Sequence, residues 1–425
     1  MGEEAYGMNG VTLEIERLGQ RGEGVARHQG ETVFVPYALA GEKVVVEIEG
    51  DRAKLVEILA PSTDRIAPLC PHYGVCGGCA VQSLAPPAYA EWKRGLVVSA
   101  LRYAGLDAEV SPLVDAHGAG RRRVTFHARG ARVGFMQARA HDIVEIDACP
   151  LLEARLASAL PAARALAQAL EAKGKPLDIA VTATRDGLDV DLRGAGALEE
   201  KETLALIDVA ARFDLARLSN HGRIVTLRRK PHVEIGTVAV TPPAGGFLQA
   251  TAQGEAEIAK HVLSGLGEAK RVADLFCGVG AFALRLAAKT RVFACDADAD
   301  AVAALQECAR SATGLKPIEA KTRDLIRTPL RAEELVGFDA VVFDPPRAGA
   351  AAQCEELARS ATPILVAVSC NAQSFARDAS ILSAAGYAMG EVVVIDQFRH
   401  SAHAETVACF HMRNPTRRKR SLLSR

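Results

Sequence analysis

The sequence predicts an α/β protein: a doubly wound, mainly parallel sheet in the C-terminal half, preceded by a small β-barrel and a central α+β region. Three observations lead there. From Phe247 onward, apolar strand-like runs alternate with amphipathic helical stretches, the pattern of a parallel sheet covered on both faces. Val11–Leu59 instead holds short β-branched runs separated by Gly and Pro. Finally, Asp274, Asp296, Asp344 and Cys370 each stand where an apolar run stops, which in such a sheet is the ligand-binding edge.

At 425 residues the chain is long enough for two or three domains. We divide it into a barrel over 1–60, a central α+β domain over 61–240, a doubly wound domain over 241–412 and a basic tail over 413–425. In the barrel, Val33–Val35 and Val44–Ile48 read as strands, and Gly19, Gly22 and Gly24 punctuate the first hairpin. Many small barrels of this kind bind single-stranded nucleic acid. The central domain has strand-like Arg123–Ala128 and Leu188–Leu192, with one long Ala/Leu-rich helix expected over Leu151–Lys173. In the C-terminal domain the expected strands are Arg271–Phe276, Arg291–Cys295, Phe338–Phe343 and Ile364–Ser369. The expected helices there are Ala281–Ala288, Ala299–Ser311 and Phe375–Ala385.

Charge and composition narrow the partners. There are 51 Lys and Arg against 51 Asp and Glu, so nucleic-acid binding must come from local patches. Arg121–Arg123, Arg228–Lys230 and Arg417–Arg420 are basic runs; each alone reads as a solvated face, and together they favour a polyanionic partner. Met1–Gly10 has neither the basic nor the apolar region of a signal peptide, and Tyr6 occupies the Ser/Thr place of a myristoylation site. No apolar stretch is long enough to span a bilayer. A cytoplasmic protein with no membrane partner is expected.

The ten cysteines fall into groups. Cys277, Cys295, Cys308, Cys354 and Cys409 are scattered through apolar or helical segments and read as small buried hydrophobes. Cys70, Cys76 and Cys79 are clustered, with Cys149 as the best remote fourth. Dense thiols in a reducing compartment argue for metal rather than disulfides. Three close ligands and one distant one suit an iron–sulfur cubane somewhat better than zinc, which usually draws on two close pairs.

The loop Cys277-Gly278-Val279-Gly280 lacks the third glycine of a dinucleotide fingerprint and the Lys-Ser/Thr of a Walker loop. A Gly-x-Gly turn followed one strand later by Asp296, placed to accept from ribose hydroxyls, suits S-adenosylmethionine. Cys370 by default is a buried strand thiol, but its place at a strand end makes it a candidate nucleophile.

Asp344-Pro345-Pro346-Arg347-Ala348-Gly349, Ser369-Cys370-Asn371 and Gln397 through Glu405 resemble the signatures of the RNA uracil-5-methyltransferases. The cysteine set resembles the iron–sulfur ligands of the 23S rRNA branch, and the barrel is similar to its TRAM domain. The resemblance covers nearly the whole chain and implies a Rossmann-like S-adenosylmethionine-dependent methyltransferase domain. It also implies a [4Fe–4S] cluster on Cys70, Cys76, Cys79 and Cys149, and a uridine C5 in 23S rRNA as acceptor. RNA is then the partner, with no DNA, and the chain acts as a monomer. By the same resemblance Cys370 is the nucleophile and Glu405 the general base. Gln249, Phe276, Gly278, Gly280, Asp296, Asp324 and Asp344 contact the cofactor, Asp344 on the methionine or nucleobase side. Thr251, Ala281, Asp296 and Ala372 depart from the family's usual Asn, Asn, Glu and Pro. A tRNA uracil-5-methyltransferase, an amino methyltransferase with an Asp-Pro-Pro loop, and a non-catalytic RNA-binding factor are the alternatives.

Overall fold

Residues 10–413 are described by the computed structural model; the expected tail run Arg417–Arg420 and most of the Met1–Gly10 segment lie outside them. The N-terminal module is one six-stranded sheet ordered Val11–Glu14, Lys43–Glu49, Arg52–Ala60, Glu31–Val35, Gly24–His28, Arg17–Leu18. Alternating residues Leu13, Ile15, Val33, Val35, Val44 and Val46 fill its interior, as period-two patterning requires. The module is fastened to the rest of the chain by Trp92, whose Nε1 donates to the Gly19 carbonyl at 3.1 Å.

The central region has a seven-stranded sheet ordered Ile143–Glu145, Arg132–Met136, Arg123–Arg129, Leu177–Thr184, Gly187–Arg193, Arg217–Asn220, Arg223–Leu227. The helices Ala159–Ala169 and Glu200–Arg212 pack on it around Phe126, Leu166, Ile179 and Leu206. The single helix expected over Leu151–Lys173 is not formed. Short 3₁₀ turns at Ala154–Leu156 and Glu171–Lys173 flank the Ala159–Ala169 helix. Pro161 explains the break: it has no N–H to give a carbonyl one turn back and is tolerated only in a first helical turn.

The third sheet has eight strands ordered Ile318–Thr322, Arg291–Asp296, Arg271–Leu275, Ala340–Phe343, Ile364–Ser369, Glu405–Met412, Tyr387–Asp396, Val110–Asp115. Its first five strands are parallel; Glu405–Met412 runs antiparallel to both its neighbours. Apolar cores cover both faces, one around Val272, Leu284 and Leu305, the other around Phe343, Phe375 and Phe410. The helix at 281–288 shortens to Ala283–Leu286, while Ala299–Ser311 forms as expected. A boundary at residue 240 cuts across this sheet. Val110–Asp115 completes its edge against Tyr387–Asp396, and the helix before it, Pro86–Tyr103, packs there too. That helix has no counterpart in the sequence reading, because Lys93 interrupts its apolar stripe.

Of the basic runs, Arg228 and Arg229 are both paired with Asp214, and Arg122 is buried against Glu255. Arg122 therefore serves the fold, while Arg228 and Arg229 keep part of their surface in solvent.

Candidate active site

Four parallel strands in the middle of the third sheet end side by side, and the predicted residues follow their last positions. Leu275 leads into Phe276 and the Gly turn, strand residue Asp296 closes Arg291–Asp296, Asp344 follows Phe343, and Cys370 follows Ser369. Parallel register makes this convergence automatic: Leu275 pairs with both Cys295 and Phe343, and Phe343 with Ala367.

At the turn, Phe276 adopts φ 62°, a left-handed conformation that costs a non-glycine residue about 1–3 kcal/mol and recurs at functional sites. Gly280, at φ 93°, could not be replaced: an added Cβ would stand 2.5 Å from a Leu305 methyl. The Gly278 N–H donates to Asp296 Oδ2 at 2.8 Å, so turn and carboxylate are held together, and Asp298 N–H donates to Oδ1 at 2.9 Å. Asp324 lies just past the neighbouring strand. Its Oδ1 accepts from the amides of Ile326 and Arg327, closing a turn. Asp274 was not assigned a role from the sequence. It is fully buried, neither carboxylate oxygen makes a hydrogen bond, and burial pushes its carboxyl up to about 8.

Cys370 and Glu405 meet by strand pairing. Ser369 pairs with Thr406 across the antiparallel neighbour, which leaves Cys370 and Glu405 as the next opposed positions. The Thr406 hydroxyl donates to the Ser369 carbonyl at 3.1 Å and locks this register. Glu405 is buried, and burial raises its carboxyl to about 7 although Gln397 and Lys93 draw it down. Cys370 is half-buried; burial, then the charges of Glu405 and Asp344, push its thiol up to about 11. Burial and Glu405 likewise hold Asp344 well above the ordinary carboxylate range.

The two carboxylates are linked by a pair of amides. Gln249 Nε2 donates to Asp344 Oδ2 at 3.1 Å, and Gln397 Nε2 donates to Gln249 Oε1 at 2.6 Å and Glu405 Oε1 at 2.9 Å. Gln249, expected among the cofactor contacts, thus stands between Asp344 and the Gln397–Glu405 pair. Gln397 was quoted in the sequence motif without a role; only its burial and bonding show what it does. Thr251, one of the departures, is the cap of the Ala252–Leu266 helix. Its hydroxyl accepts from the Gly254 amide at 2.8 Å and donates to the Ala116 carbonyl at 2.7 Å.

The remaining predicted residues gather in one place. Cys70, Cys76, Cys79 and Cys149 line a cavity of about 850 Å³ between the barrel, the central sheet and the catalytic domain. Arg121 lines it too, its guanidinium 5.6 Å from the Phe398 ring. Among the described residues, no three His, Cys, Asp or Glu side chains converge as the ligands of a metal ion would.

Comparison with known proteins decides the family. A family model described as TRAM domain matches residues 9–57, and one described as tRNA (Uracil-5-)-methyltransferase matches 240–413. A 23S rRNA (uracil(1939)-C(5))-methyltransferase of Pectobacterium atrosepticum is 31% identical, over 94% of this chain and 93% of its own. The chain belongs to the RNA (uracil-5-)-methyltransferase family. An uncharacterized RNA methyltransferase of Agrobacterium fabrum is 44% identical to this methyltransferase, over 94% of this chain and 99% of its own. The fold matches a Pyrococcus abyssi tRNA (uracil-54, C5)-methyltransferase solved with S-adenosyl-L-homocysteine, with TM-score 0.74 and 22% identity. That match covers 94% of this methyltransferase and 99% of the archaeal chain. As a member of this family the chain acts on RNA, and no helix among the described residues is long and apolar enough to cross a membrane.

Proposed function

We propose that the enzyme methylates C5 of a specific uridine in 23S rRNA, with Cys370 as nucleophile and Glu405 as general base. The observation that supports this most is the opposition of Cys370 and Glu405 across paired strand ends, beside the turn held by Asp296. Uracil C5 is a weak nucleophile. The Cys370 thiol gives its proton to solvent, and the resulting thiolate adds to C6, forming a C–S bond and placing carbanion character at C5, a covalent route that divides one hard step into easier ones. The bound donor supplies a sulfonium-linked methyl group, which C5 takes. Glu405 then removes the C5 proton; the C5–H electrons form the C5–C6 double bond, the C6–S bond breaks, and its pair returns to sulfur. Gln397 fixes the orientation of Glu405, and Gln249 couples it to Asp344.

Asp296 holds the donor's ribose in this reading, with Gly278, Gly280 and Phe276 shaping the turn beneath it and Asp324 at the adenine. Asp296→Asn should weaken donor binding about tenfold, since hydrogen bonds to a charged group contribute about 1.5–3 kcal/mol. Calorimetric titration with S-adenosylmethionine checks it; an unchanged affinity rules out that contact.

We assign the four-cysteine cavity to a [4Fe–4S] cluster. The donor set suits it: four thiols face one cavity, and after burial, neighbouring thiols are among the groups that raise Cys76, Cys79 and Cys149. Bound, the group would cross-link the 70–79 segment to Cys149 and take no part in methyl transfer. Cys79→Ala should lose iron and visible sulfur-to-iron absorbance and lower the melting midpoint by about 5 °C or more, with donor affinity retained. An iron-free wild-type protein, or an unchanged variant, refutes the assignment.

The target class is tested by mass-spectrometric mapping of 5-methyluridine in rRNA and tRNA from a deletion strain. Loss at one 23S position is expected; loss in tRNA alone overturns it.

A further inference from the structure

Lys93 is the least expected side chain in the core. It is wholly buried in the middle of the Pro86–Tyr103 helix, 303 residues in sequence from its ion-pair partner Asp396. Isolated buried ammonium groups are costly, and a buried pair is weak evidence for stability in itself. What the pair holds is more informative. Asp396 ends the Tyr387–Asp396 strand and immediately precedes Gln397, the residue that donates to Glu405.

The 396–400 segment is gripped along its length by the segment around Lys93. Lys93 Nζ donates to the Phe398 carbonyl at 3.0 Å, and Asp396 Oδ1 accepts from the Phe398 amide at 2.9 Å. Tyr89 OH donates to Asp396 Oδ2 at 2.6 Å and accepts from Lys93 Nζ and from the His400 amide, both at 3.0 Å. The His400 carbonyl accepts from the Ala80 amide at 2.8 Å and the Val81 amide at 3.3 Å. His400 itself is left-handed, at φ 64°, a conformation retained only when its surroundings over-determine it. Among the described residues, the hydrogen bonds of Tyr89 and Lys93 go to the 396–400 segment and not to the turn at Gly278–Gly280. The grip is therefore confined to the loop that leads into Glu405.

We propose that Lys93, with Asp396 and Tyr89, is a positioning group that holds Gln397 and Glu405 in register for removal of the C5 proton. The proposal rests on the reading of Glu405 as the base. In that step the Glu405 carboxylate accepts the proton from C5 and the thiolate of Cys370 leaves from C6. Loosening the loop slows this step while Cys370, on its own parallel strand, still adds, and C5 still takes the methyl group.

The test is rapid-quench single turnover on an rRNA fragment, separating methyl transfer from release of free methylated RNA. Lys93→Met alone would strand Asp396 as an unpaired buried carboxylate. The main variant is therefore Lys93→Met/Asp396→Asn, which removes both charges, with Tyr89→Phe as a second that keeps the ring and the ion pair. Glu405→Gln serves as reference. Both loop variants should bind S-adenosylmethionine and transfer methyl as the wild type does. Release should slow about tenfold in the double variant, with the methylated protein–RNA adduct accumulating. Wild-type release in both variants, while Glu405→Gln accumulates adduct, overturns the proposal. A parallel slowing of every step with weakened donor binding also overturns it, because that marks a merely structural pair. Wild-type release in Glu405→Gln sinks the base assignment itself, a separate outcome.

Discussion

Cys370→Ala is expected to lose methyl transfer by about a thousandfold or more, the scale seen when a covalent nucleophile is removed. Among the described residues the thiol is the nucleophile that stands at this strand end, and without its addition to C6, C5 has no carbanion character to direct at the methyl group. The substitution removes one half-buried sulfur and leaves the register bond from Thr406 to the Ser369 carbonyl in place. Fold and donor affinity should therefore be unaltered. RNA carrying 5-fluorouridine gives a second readout. After methyl transfer the base would have to remove fluorine as a cation, which it cannot, so the wild-type adduct persists and runs as a protein–RNA band. Cys370→Ala should give no such band. Retained methylation with the alanine in place would end the mechanism, whereas loss of activity with an intact fold also argues against an amino methyltransferase, which needs no thiol.

The free enzyme holds this thiol mostly protonated, since burial and two nearby carboxylates raise it to about 11. Binding must therefore help to deprotonate it. The cationic donor and the Arg347 guanidinium, which already draws the thiol down, both act in that direction.

Glu405→Gln should reduce turnover by about 10²–10⁴-fold, the ordinary contribution of a positioned base, and should leave methylated RNA attached to Cys370. Glutamine retains an oxygen for the Gln397 donor, so the loss falls on proton removal rather than packing. The same residue sets a pH limb in the wild type. A base accepts a proton only when it is itself unprotonated, and Glu405 is raised to about 7 by burial. Product release should therefore fall as pH drops through about 7, and the Gln variant should lose that limb. Turnover at the wild-type rate, or a pH limb that survives in the variant, would assign the base elsewhere.

Much of the catalytic domain is legible in the chain because its signals are local. Each parallel strand is a short apolar run, the sheet's polarity puts the following residue at the ligand edge, and Gly278–Gly280 marks the turn. Asp296, Asp344 and Cys370 follow from that logic before any family likeness is used. Cys70, Cys76 and Cys79 are local too, and Cys149, read from the sequence as their remote fourth, lines the same cavity.

Other features depend on partners too remote for periodicity to reveal. Gln249 and Gln397 meet across 148 residues and connect Asp344 with Glu405, a link no local pattern shows. Val110–Asp115 reads as central-domain sequence yet completes the catalytic sheet. By itself the sequence determined four neighbouring parallel strands of the catalytic sheet, the residues at their ends and the chemical groups available. Only the tertiary structure decided that Lys93 belongs in the core. A lysine on an apolar stripe argues for exposure until Asp396 supplies the opposite charge from the far end of the chain, and the energy of burying that charge depends on the partner rather than on the lysine.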